Sequence, residues 1–427
     1  MKAKNGKLFF RGVHIPDAKE FSKESPILPL ETNEAAIPLK QHIGAAAEAT
    51  VSAGDYVRRG QLIGRAAGKI SANVHASVAG TVTEVGERDD GRGGSCVHVV
   101  ITREGAEEAF LPPLDHPDGA QIAQRIEDAG IVGMGGAGFP AHVKARPNAP
   151  VDTLILNGAE CEPYLTCDDR LMREQTERIV RGAQYLAIAL NATRVIVAIE
   201  KNKPEAISLF EKTEFETVKL KKQYPMGSEK HLIYCCTGRK IPLGKLPSDV
   251  GVAVQNVATA HAVCEAVELG KPLIERVVTV SGGGADAPKN LLCAVGTPLS
   301  RLAEAVGINE NAAKFVAGGP MTGTALTGAN GVVTKTTSGF LLLTEKETNS
   351  ETPTPCINCG KCADVCPMRL MPMHTAFYTA AGEYELADRY GGVRSCIECG
   401  TCSYICPARR PLAQMIKTAK ANLGRKA

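Results

Sequence analysis

Two cysteine runs near the C-terminus constrain the fold more than any other feature of this sequence. Both have the spacing C-x2-C-x2-C-x3-C-P, which is the ligand pattern of bacterial cubane iron–sulfur clusters. The first run contains Cys356, Cys359, Cys362 and Cys366, and the second contains Cys396, Cys399, Cys402 and Cys406. Three cysteines on a tight loop reach three corners of one cluster, and the fourth, next to a proline, is directed towards the neighbouring cluster.

This spacing rule predicts two [4Fe–4S] clusters that exchange one ligand each. The predicted ligand sets are Cys356, Cys359, Cys362 and Cys406 for the first cluster, and Cys396, Cys399, Cys402 and Cys366 for the second. Zinc is the alternative, because C-x2-C pairs also bind zinc. A zinc ribbon, however, has no need for a third cysteine, a fourth cysteine and a proline in both runs. The pattern therefore indicates a protein that transfers electrons one at a time.

Length and composition limit the remaining possibilities. A chain of 427 residues predicts about three domains. Its net charge of +3 argues against a dedicated nucleic-acid-binding protein. The cysteines outside the two runs are odd in number and irregularly spaced, which argues against a disulfide framework, and exposed clusters need a reducing compartment. No apolar stretch approaches the roughly 20 residues that span a bilayer, and the N-terminus lacks a signal-peptide pattern. We therefore expect a soluble or peripheral protein in the cytoplasm.

The first 110 residues predict an arm followed by a small β module. Residues 1–37 are rich in proline and turn residues and are expected to wrap around another part of the chain. Residues 38–110 alternate short strands with glycine turns. The V-x-x-G-D-x-V-x-x-G-Q-x-I run from Val51 and the later A-G-T-V resemble the barrel sandwich of lipoyl and biotinyl carriers. Carriers hold a lysine at the hairpin between these halves, but Lys69 lacks the usual flanking residues, so we expect a structural module.

Residues 111–268 predict an α/β domain with a glycine loop at its start. Gly133, Gly135 and Gly138 match G-x-G-x-x-G, but a helical pattern precedes this loop, whereas the Rossmann fold requires a strand there. We therefore exclude the standard dinucleotide-binding fold. The glycines still allow backbone N–H groups to approach a phosphate or a flat ring closely.

Polar residues follow the first buried strand of this domain. Asn157, Glu160 and Glu162 come directly after the apolar run 151–156. The carboxyl end of a buried strand is where open α/β sheets bind ligands, and these side chains can accept hydrogen bonds from a flavin or a ribose. The β-α-β-α order continues to a strand that ends near Asn256.

The remaining sequence predicts two smaller domains. Residues 269–345 have a β-grasp-like pattern of a strand, a glycine turn, a second strand, a helix and a last strand. Residues 346–427 contain both cysteine runs, and the helical spacing between and after them favours a helical two-cluster ferredoxin domain over the small β-rich type. The whole chain is thus predicted to be a multidomain α/β protein.

The loop G-M-G-G-A-G-F-P from Gly133 and the motif N-x-x-E-x-E-P from Asn157 resemble the FMN- and NADH-binding subunit of respiratory complex I. The order of modules, which starts with Gly-Val-His-Ile-Pro in the arm, is similar to the C subunits of the Rnf complex. That complex is a membrane-bound, ion-translocating ferredoxin:NAD oxidoreductase. The resemblance covers essentially the whole chain and implies an SLBB-type β-grasp for residues 269–345.

The resemblance also implies a cofactor site. Its predicted FMN contacts are Gly133, Gly135, Gly136, Lys144, Asn157, Glu160, Gly227, Glu229 and Asn256. Phe139 and Glu162 correspond to positions that face the nicotinamide dinucleotide. The chemistry would belong to the cofactors, without a catalytic acid or base from the protein. Three positions depart from the complex I pattern, because Met134, Ala159 and Ser228 stand where that pattern has an arginine, an aspartate and a glutamate.

The implied function follows from electron counting. A nicotinamide exchanges a hydride and a cubane cluster exchanges one electron, so a flavin must lie between them. We expect a peripheral subunit on the cytoplasmic face of the cell membrane that connects NAD(H), non-covalent FMN and two [4Fe–4S] clusters. Membrane-embedded and iron–sulfur partner subunits would translocate the ion, and ferredoxin would act indirectly.

Two other functions remain open on sequence grounds. One is a soluble flavin/iron–sulfur reductase similar to cobalamin reductase, and the other is an electron-relay subunit without flavin. A third metal centre at Cys161, Cys167 and Cys235–Cys236 is less favoured, because these cysteines lack a ligand spacing and buried free thiols are common.

The crossed ligand sets lead to a test. Cys366→Ala should damage the second cluster more than the first, because Cys366 stands in the first run but is predicted to bind the second cluster. Electron paramagnetic resonance of the reduced protein measures both clusters. Equal loss of the two signals would contradict crossed ligation.

Overall fold

The computed structural model describes residues 4–7, 11–89, 91, 93–348 and 351–424. Parts of the predicted arm (1–3 and 8–10) and the end of the predicted cluster domain (425–427) lie outside these residues.

The strands are β1 (Lys4–Asn5), β2 (Ile27–Leu30), β3 (Glu34–Pro38), β4 (Glu48–Ala49), β5 (Tyr56–Val57), β6 (Leu62–Arg65), β7 (Val74–His75), β8 (Ala79–Asp89), β9 (Ser95–Gly105), β10 (Thr153–Gly158), β11 (Arg194–Glu200), β12 (Glu216–Leu220), β13 (Val252–Asn256), β14 (Glu275–Ser281), β15 (Lys289–Ala294), β16 (Ala312–Ala317), β17 (Thr324–Leu326) and β18 (Gly339–Thr344). The helices are α1 (Gly119–Asp128), α2 (Ala141–Ala145), α3 (Cys167–Glu174), α4 (Thr176–Leu190), α5 (Pro204–Phe210), α6 (Glu229–Thr237), α7 (Val257–Leu269), α8 (Leu299–Val306), α9 (Lys361–Asp364), α10 (Pro372–Ala380), α11 (Tyr384–Gly391), α12 (Thr401–Tyr404) and α13 (Leu412–Gly424). Short 3-10 turns lie at Pro247–Val250, Glu345–Glu347 and Val393–Ser395.

The barrel domain consists of two small antiparallel sheets, in the orders β3-β9-β8-β5 and β4-β6-β7. Alternate residues point into a shared core that includes Ile37, Val57 and Ile63. The domain begins earlier than the boundary predicted at 37/38, because β3 already pairs with β9 from Glu34. The burial of Ala35 and Ile37 in this core explains the difference.

The α/β domain contains a parallel sheet in the order β1-β12-β11-β10-β13. Residues of β10 alternate between its two faces, with Leu154 and Leu156 packed beneath α1, α4 and α7, and Ile155 packed with α6. Strands β12, β11, β10 and β13 have the order of a doubly wound sheet, whose topological switch point here lies between β10 and β13. The sequence analysis excluded the standard dinucleotide-binding fold because a helix precedes the glycine loop, and α1 is indeed that helix. The order of β12, β11, β10 and β13, however, is that of a dinucleotide-binding sheet.

The mixed-sheet domain, residues 269–345, is organised around a six-stranded sheet. Its strand order is β17-β16-β18-β14-β15-β2, with β14 and β15 antiparallel and β14 and β18 parallel. Helix α8 packs on this sheet through Leu299 and Leu302. The edge strand β2 comes from the arm, which was expected to be irregular. An edge strand tolerates Pro29 because one side of its backbone needs no partner.

The cluster domain contains short helices and turns within residues 351–424, without a strand in that range. Its core includes Ala376, Ala387, Leu412 and Ile416 from α10, α11 and α13. In the described part of the chain, no helix combines the length and the apolar content needed to cross a bilayer.

Lys335 joins three domains at the entrance to the glycine loop. This lysine of the mixed-sheet domain is fully buried, and its Nζ donates to the carbonyl oxygens of Asn73 (2.6 Å) in the barrel domain and Gly130 (2.7 Å) in the α/β domain. Burial lowers the pKa of Lys335 to about 7. The position of the glycine loop therefore depends on all three domains.

Lys335→Met should lower the thermal midpoint, because it removes the donor from two buried carbonyl groups and each unsatisfied group costs about 1–3 kcal/mol. Since the folded protein holds the Lys335 proton less tightly than the unfolded chain, wild-type stability from this group rises above about pH 7. The loss caused by the mutation should therefore be larger at pH 9 than at pH 7.

Anaerobic thermal melts at these two pH values measure both effects. Lys346→Met changes an exposed lysine at the end of the same domain and serves as the control. A destabilisation that is equal for the two variants, or that shrinks at the higher pH, would refute this role of Lys335.

Candidate electron-transfer site

Four cysteines from both runs line one cavity in the cluster domain. The cavity measures about 310 Å³, and its walls include the thiols of Cys356, Cys359, Cys362 and Cys406. The first three belong to the first run, and Cys406 comes from the second. Four thiols around one cavity fit the ligand set of a [4Fe–4S] cluster, and this grouping is the one that the spacing predicted.

The fourth cysteine of the first run lies beside the second run. Burial raises the pKa of Cys402 to about 12 and that of Cys396 to about 11, and the nearby thiol of Cys366 adds to both effects. The thiol of Cys366 thus acts on Cys396 and Cys402 of the second run, and its binding to the second cluster stays a prediction.

The two cysteine loops have the same backbone conformation. Asn358 and Glu398, each two residues after the first cysteine, have positive φ angles of 56° and 57°. Their backbone N–H groups donate to the sulfurs of Cys356 (3.4 Å) and Cys396 (3.3 Å). An N–H group directed at sulfur favours the thiolate, which is the form that binds iron. The loops thus suit the same type of ligand.

The two candidate cluster sites differ in exposure. In the first site Cys356 and Cys359 are exposed and only Cys362 is buried, whereas in the second Cys366, Cys399 and Cys402 are buried and Cys396 is partly buried. The first site therefore lies near the surface and the second lies in the interior.

The second site packs directly on the α/β domain. The hydroxyl of Tyr224 donates to the carbonyl oxygen of Cys399 (2.8 Å), and both residues lie in an apolar cluster with Val13, Cys161 and Met321. The arm strengthens this contact, since its Gly12 N–H donates to the Val365 carbonyl (2.9 Å) in the cluster domain. The fold thus places the interior cysteines against the domain that contains the glycine loop.

Two asparagines mark the switch point of the parallel sheet. Asn157 is the penultimate residue of β10 and lies opposite Asn256, which ends β13. Asn157 Nδ2 donates to the carbonyl oxygen of Gly227 (2.9 Å), so the predicted residue Gly227 lies at the same edge. Asn256 Oδ1 accepts from the N–H of Ala258 (2.8 Å) and caps α7. Both amides are therefore held in fixed orientations at the place where such sheets bind ligands.

The glycine loop closes over this edge. Gly133 N–H donates to the Phe139 carbonyl (2.8 Å), which turns the loop back on itself. Gly135 has φ +93° and approaches Asn256 so closely that a Cβ there would lie 3.0 Å from Asn256 Nδ2. A Cβ at Gly136 would meet nothing within 4 Å. The loop thus approaches the switch point at Gly135 and is open to solvent at Gly136, and its lack of side chains suits a phosphate or a flat ring.

Lys144 and Glu229 form an ion pair across the domain. Lys144 Nζ lies 2.7 Å from Glu229 Oε1 and also donates to the Val254 carbonyl (3.2 Å). Glu229 begins α6, where an acidic side chain is favoured by the helix dipole. The structure thus brings these two predicted residues together on α2 and α6.

Glu160 is buried among charges. Burial raises the pKa of Glu160 to about 7, although Lys19 and Lys203 act in the opposite direction. Glu160 Oε1 accepts from the N–H of Asp168 (2.7 Å), and Lys19 Nζ lies 3.6 Å from Oε2. Sequence reasoning missed Lys19 and Asp168, because Lys19 belongs to the distant arm and Asp168 lies outside the recognised motif.

The two residues predicted to face a nucleotide have different surroundings. Phe139 is half-buried at the end of the glycine loop. The Glu162 carboxylate accepts from the N–H of Met321 (3.0 Å) and the hydroxyl of Thr322 (2.5 Å), both in the loop between β16 and β17. Glu162 therefore links the α/β domain to the mixed-sheet domain, and its contact with a nucleotide stays a prediction.

The three departures from the complex I pattern have structural explanations. Met134 and Ala159 are buried in the apolar cores of the α/β domain, where a charged side chain would be costly without a partner. Ser228 precedes α6, and its hydroxyl lies 2.9 Å from Nδ1 of His231. These positions are thus occupied by residues that suit local packing.

Comparison with known proteins extends this picture. Residues 7–106 match the RnfC barrel sandwich hybrid domain, residues 126–265 match the Nuo51 FMN-binding domain, and residues 348–407 match a 4Fe-4S dicluster domain. A crystal structure of NAD+-reducing [NiFe]-hydrogenase in the air-oxidized state is 20% identical, with a TM-score of 0.47 over 72% of this chain and 54% of the other.

Three relatives align over most of their own length. The C subunit of the proton-translocating ferredoxin:NAD(+) oxidoreductase complex of Clostridium ljungdahlii is 41% identical and covers 90% of this chain and 88% of the relative. The C subunit of the ion-translocating oxidoreductase complex of Rhodobacter capsulatus is 45% identical, with coverages of 96% and 82%. The C subunit of the Na(+)-translocating ferredoxin:NAD(+) oxidoreductase complex of Acetobacterium woodii is 38% identical, with coverages of 89% and 88%.

These matches confirm the resemblance found in the motifs, and the barrel sandwich, the FMN-binding domain and the 4Fe–4S domain follow one another in the expected order. The chain belongs to the family of C subunits of the ion-translocating ferredoxin:NAD(+) oxidoreductase, or Rnf, complexes.

Proposed function

We propose that this chain carries electrons between NAD(H), non-covalently bound FMN and two [4Fe–4S] clusters. It does so as a peripheral subunit on the cytoplasmic face of a membrane-bound ferredoxin:NAD oxidoreductase. Membrane-embedded and iron–sulfur partner subunits of that complex translocate the ion and exchange electrons with ferredoxin. The observation that carries this proposal is the direct packing of the interior cysteines against the domain that holds the glycine loop and the switch point.

A contiguous path supports the electron transfer. Asn157 bonds to Gly227, and the N–H of Gly227 donates to the sulfur of Cys161 (3.4 Å). Cys161 packs in the same apolar cluster as Cys399, a predicted ligand of the second cluster. The first cluster site, by contrast, has two exposed cysteines, Cys356 and Cys359. This difference favours exchange with a partner protein at the first cluster and exchange with the flavin at the second.

The residues at the switch point suit FMN. The glycine loop offers backbone N–H groups for a phosphate, and the asparagines at the carboxyl ends of β10 and β13, Asn157 and Asn256, offer oriented amides. Lys144 provides a nearby cation, which Glu229 balances. Bound FMN would supply the exchange of two electrons with a nicotinamide and of single electrons with a cluster. The protein's task is to hold and orient it.

We extend the proposal to the finer domain assignment. An antiparallel β14–β15 pair, the following α8 and the parallel β14–β18 pair support an SLBB-type β-grasp for residues 269–345. The helices around both cysteine loops support a helical two-cluster ferredoxin domain for residues 346–427. The arm (1–37), the barrel domain (38–110) and the α/β domain (111–268) complete the division, with β3 shared across the first boundary.

Anaerobic purification followed by NADH titration tests the function. We expect one FMN and about eight iron atoms per chain, because each of two clusters holds four. NADH should bleach the flavin absorbance and then reduce the clusters. Clusters without FMN, and without any response to NADH, would leave an electron-relay subunit instead.

Two single-cysteine variants test the order of the clusters. Cys359→Ala should remove the exposed cluster, while NADH still reduces the interior cluster at the wild-type rate. Cys402→Ala should remove the interior cluster, so that NADH reduces FMN but no longer reaches the exposed cluster. Rapid-freeze paramagnetic resonance separates the two signals, and the reverse pattern would place the exposed cluster next to the flavin.

A further inference from the structure

A buried acidic residue outside the recognised motifs lies beside the open glycine loop. Asp168, in the first turn of α3, is only 6% exposed. Its Oδ2 accepts a hydrogen bond from Asn256 Nδ2 (2.7 Å). Its Oδ1 is buried and has no hydrogen-bond partner among the residues that the structure describes.

A second carboxylate oxygen nearby is also buried without a hydrogen-bond donor. Glu160 Oε2 is buried and lacks a hydrogen-bond donor within the described part of the chain, although Lys19 Nζ lies 3.6 Å away. Ligand atoms of Glu160, Cys167 and Asp168 all lie within 4.8 Å of one another. Buried acceptors are rarely left without a donor, because each one costs about 1–3 kcal/mol or more when charged. These acceptors, Asp168 Oδ1 above all, therefore lack a hydrogen-bond donor among the residues that the structure describes.

Asn256 lies between Asp168 and the glycine loop. The amide that holds Asp168, Asn256 Nδ2, is also the group that Gly135 approaches most closely. Beyond Gly135, the space at Gly136 is open. Asn256 thus connects the carboxylate of Asp168 to the glycine loop.

We propose that Asp168 binds the flavin, by accepting a hydrogen bond at Oδ1 from a hydroxyl of the ribityl chain. This inference rests on the proposed FMN site and adds a residue to it. The ribityl chain fits because it carries several neutral hydroxyl donors, each of which can satisfy a carboxylate oxygen. Asn256 acts as the positioning residue, since it orients Asp168 and caps α7 with the other end of its amide.

A neutral donor suits the site better than a metal cation. Lys19 and Lys203 already supply positive charge to this group of acids, with Lys203 Nζ bonded to the Ala159 carbonyl (2.7 Å). The positive charge is thus already present, and what the buried acceptors lack is a hydrogen-bond donor.

The test measures FMN binding to protein stripped of flavin, by quenching of FMN fluorescence under anaerobic conditions. Asp168→Asn keeps the shape of the side chain. The amide oxygen of the new asparagine can still accept the hydrogen bond from Asn256, but its NH2 group then stands where the aspartate has its free acceptor oxygen. We expect its Kd for FMN to rise about ten- to a hundredfold, as the loss of a hydrogen bond to a charged group predicts. Asp168→Ala should weaken binding similarly and carries the test if the first variant does not fold.

Asp169→Asn is the matched control. Asp169 is the next residue, is similarly buried and also has an Oδ1 without a hydrogen-bond partner among the described residues, but its carboxylate interacts with Arg173 (4.0 Å) and Lys203 rather than with Asn256 beside the glycine loop. Its Kd should stay within about threefold of the wild-type value. Iron content and thermal midpoint, measured for all variants, establish that each one is folded.

The outcomes separate this inference from the proposed function. If the wild-type protein binds no FMN, both are wrong. If it binds FMN and the Asp168 variants bind equally well, or Asp169→Asn is as weak as they are, only the role of Asp168 is wrong. A divalent metal other than iron, present in the wild type and lost in Asp168→Asn while FMN affinity is unchanged, would assign the carboxylate to a cation instead.

Discussion

The contact between the cluster domain and the α/β domain is the interaction on which the rest of this structure depends. Electron transfer requires the cysteine loops to lie close to the crevice at the sheet edge, and no covalent bond ensures this. The hydroxyl of Tyr224, buried in the contact, finds its partner in the Cys399 carbonyl. A strand-like pairing of Val13 with Tyr224 ties the arm to the same place. Burial of apolar side chains around these bonds stabilises the junction.

The parallel pairing of β10 with β13 determines where the ligand site lies. Because β11 and β12 lie on the other side of β10, the connections on the two sides diverge and leave a crevice at the carboxyl edge. Asn157 and Asn256 come together there although 99 residues separate them. The glycine loop reaches this crevice from a position before the sheet, held by Lys335 and by the barrel domain. The site is therefore assembled from segments that no local motif connects.

Much of the candidate site could be predicted from local patterns. The cysteine spacing predicted that Cys406 groups with Cys356, Cys359 and Cys362, and these four residues do line one cavity. The positions of Asn157 and Glu160 followed from their place after an apolar strand. Lys19 and Asp168 could not be found in this way, because a lysine in an irregular arm and an acid in a helix look like ordinary surface residues. Only their burial in the fold distinguishes them.

The sequence by itself determined the chemistry of this protein, since iron–sulfur ligand spacing, glycine loops and strand periodicity are local properties of the chain. The tertiary structure decided the order of the doubly wound sheet, the edge-strand role of the arm and the depth of each cluster site. These features depend on contacts between residues far apart in sequence, such as Val13 with Tyr224 and Lys335 with Gly130. Their energies come from burial and from hydrogen bonds between domains, which periodicity and spacing do not encode.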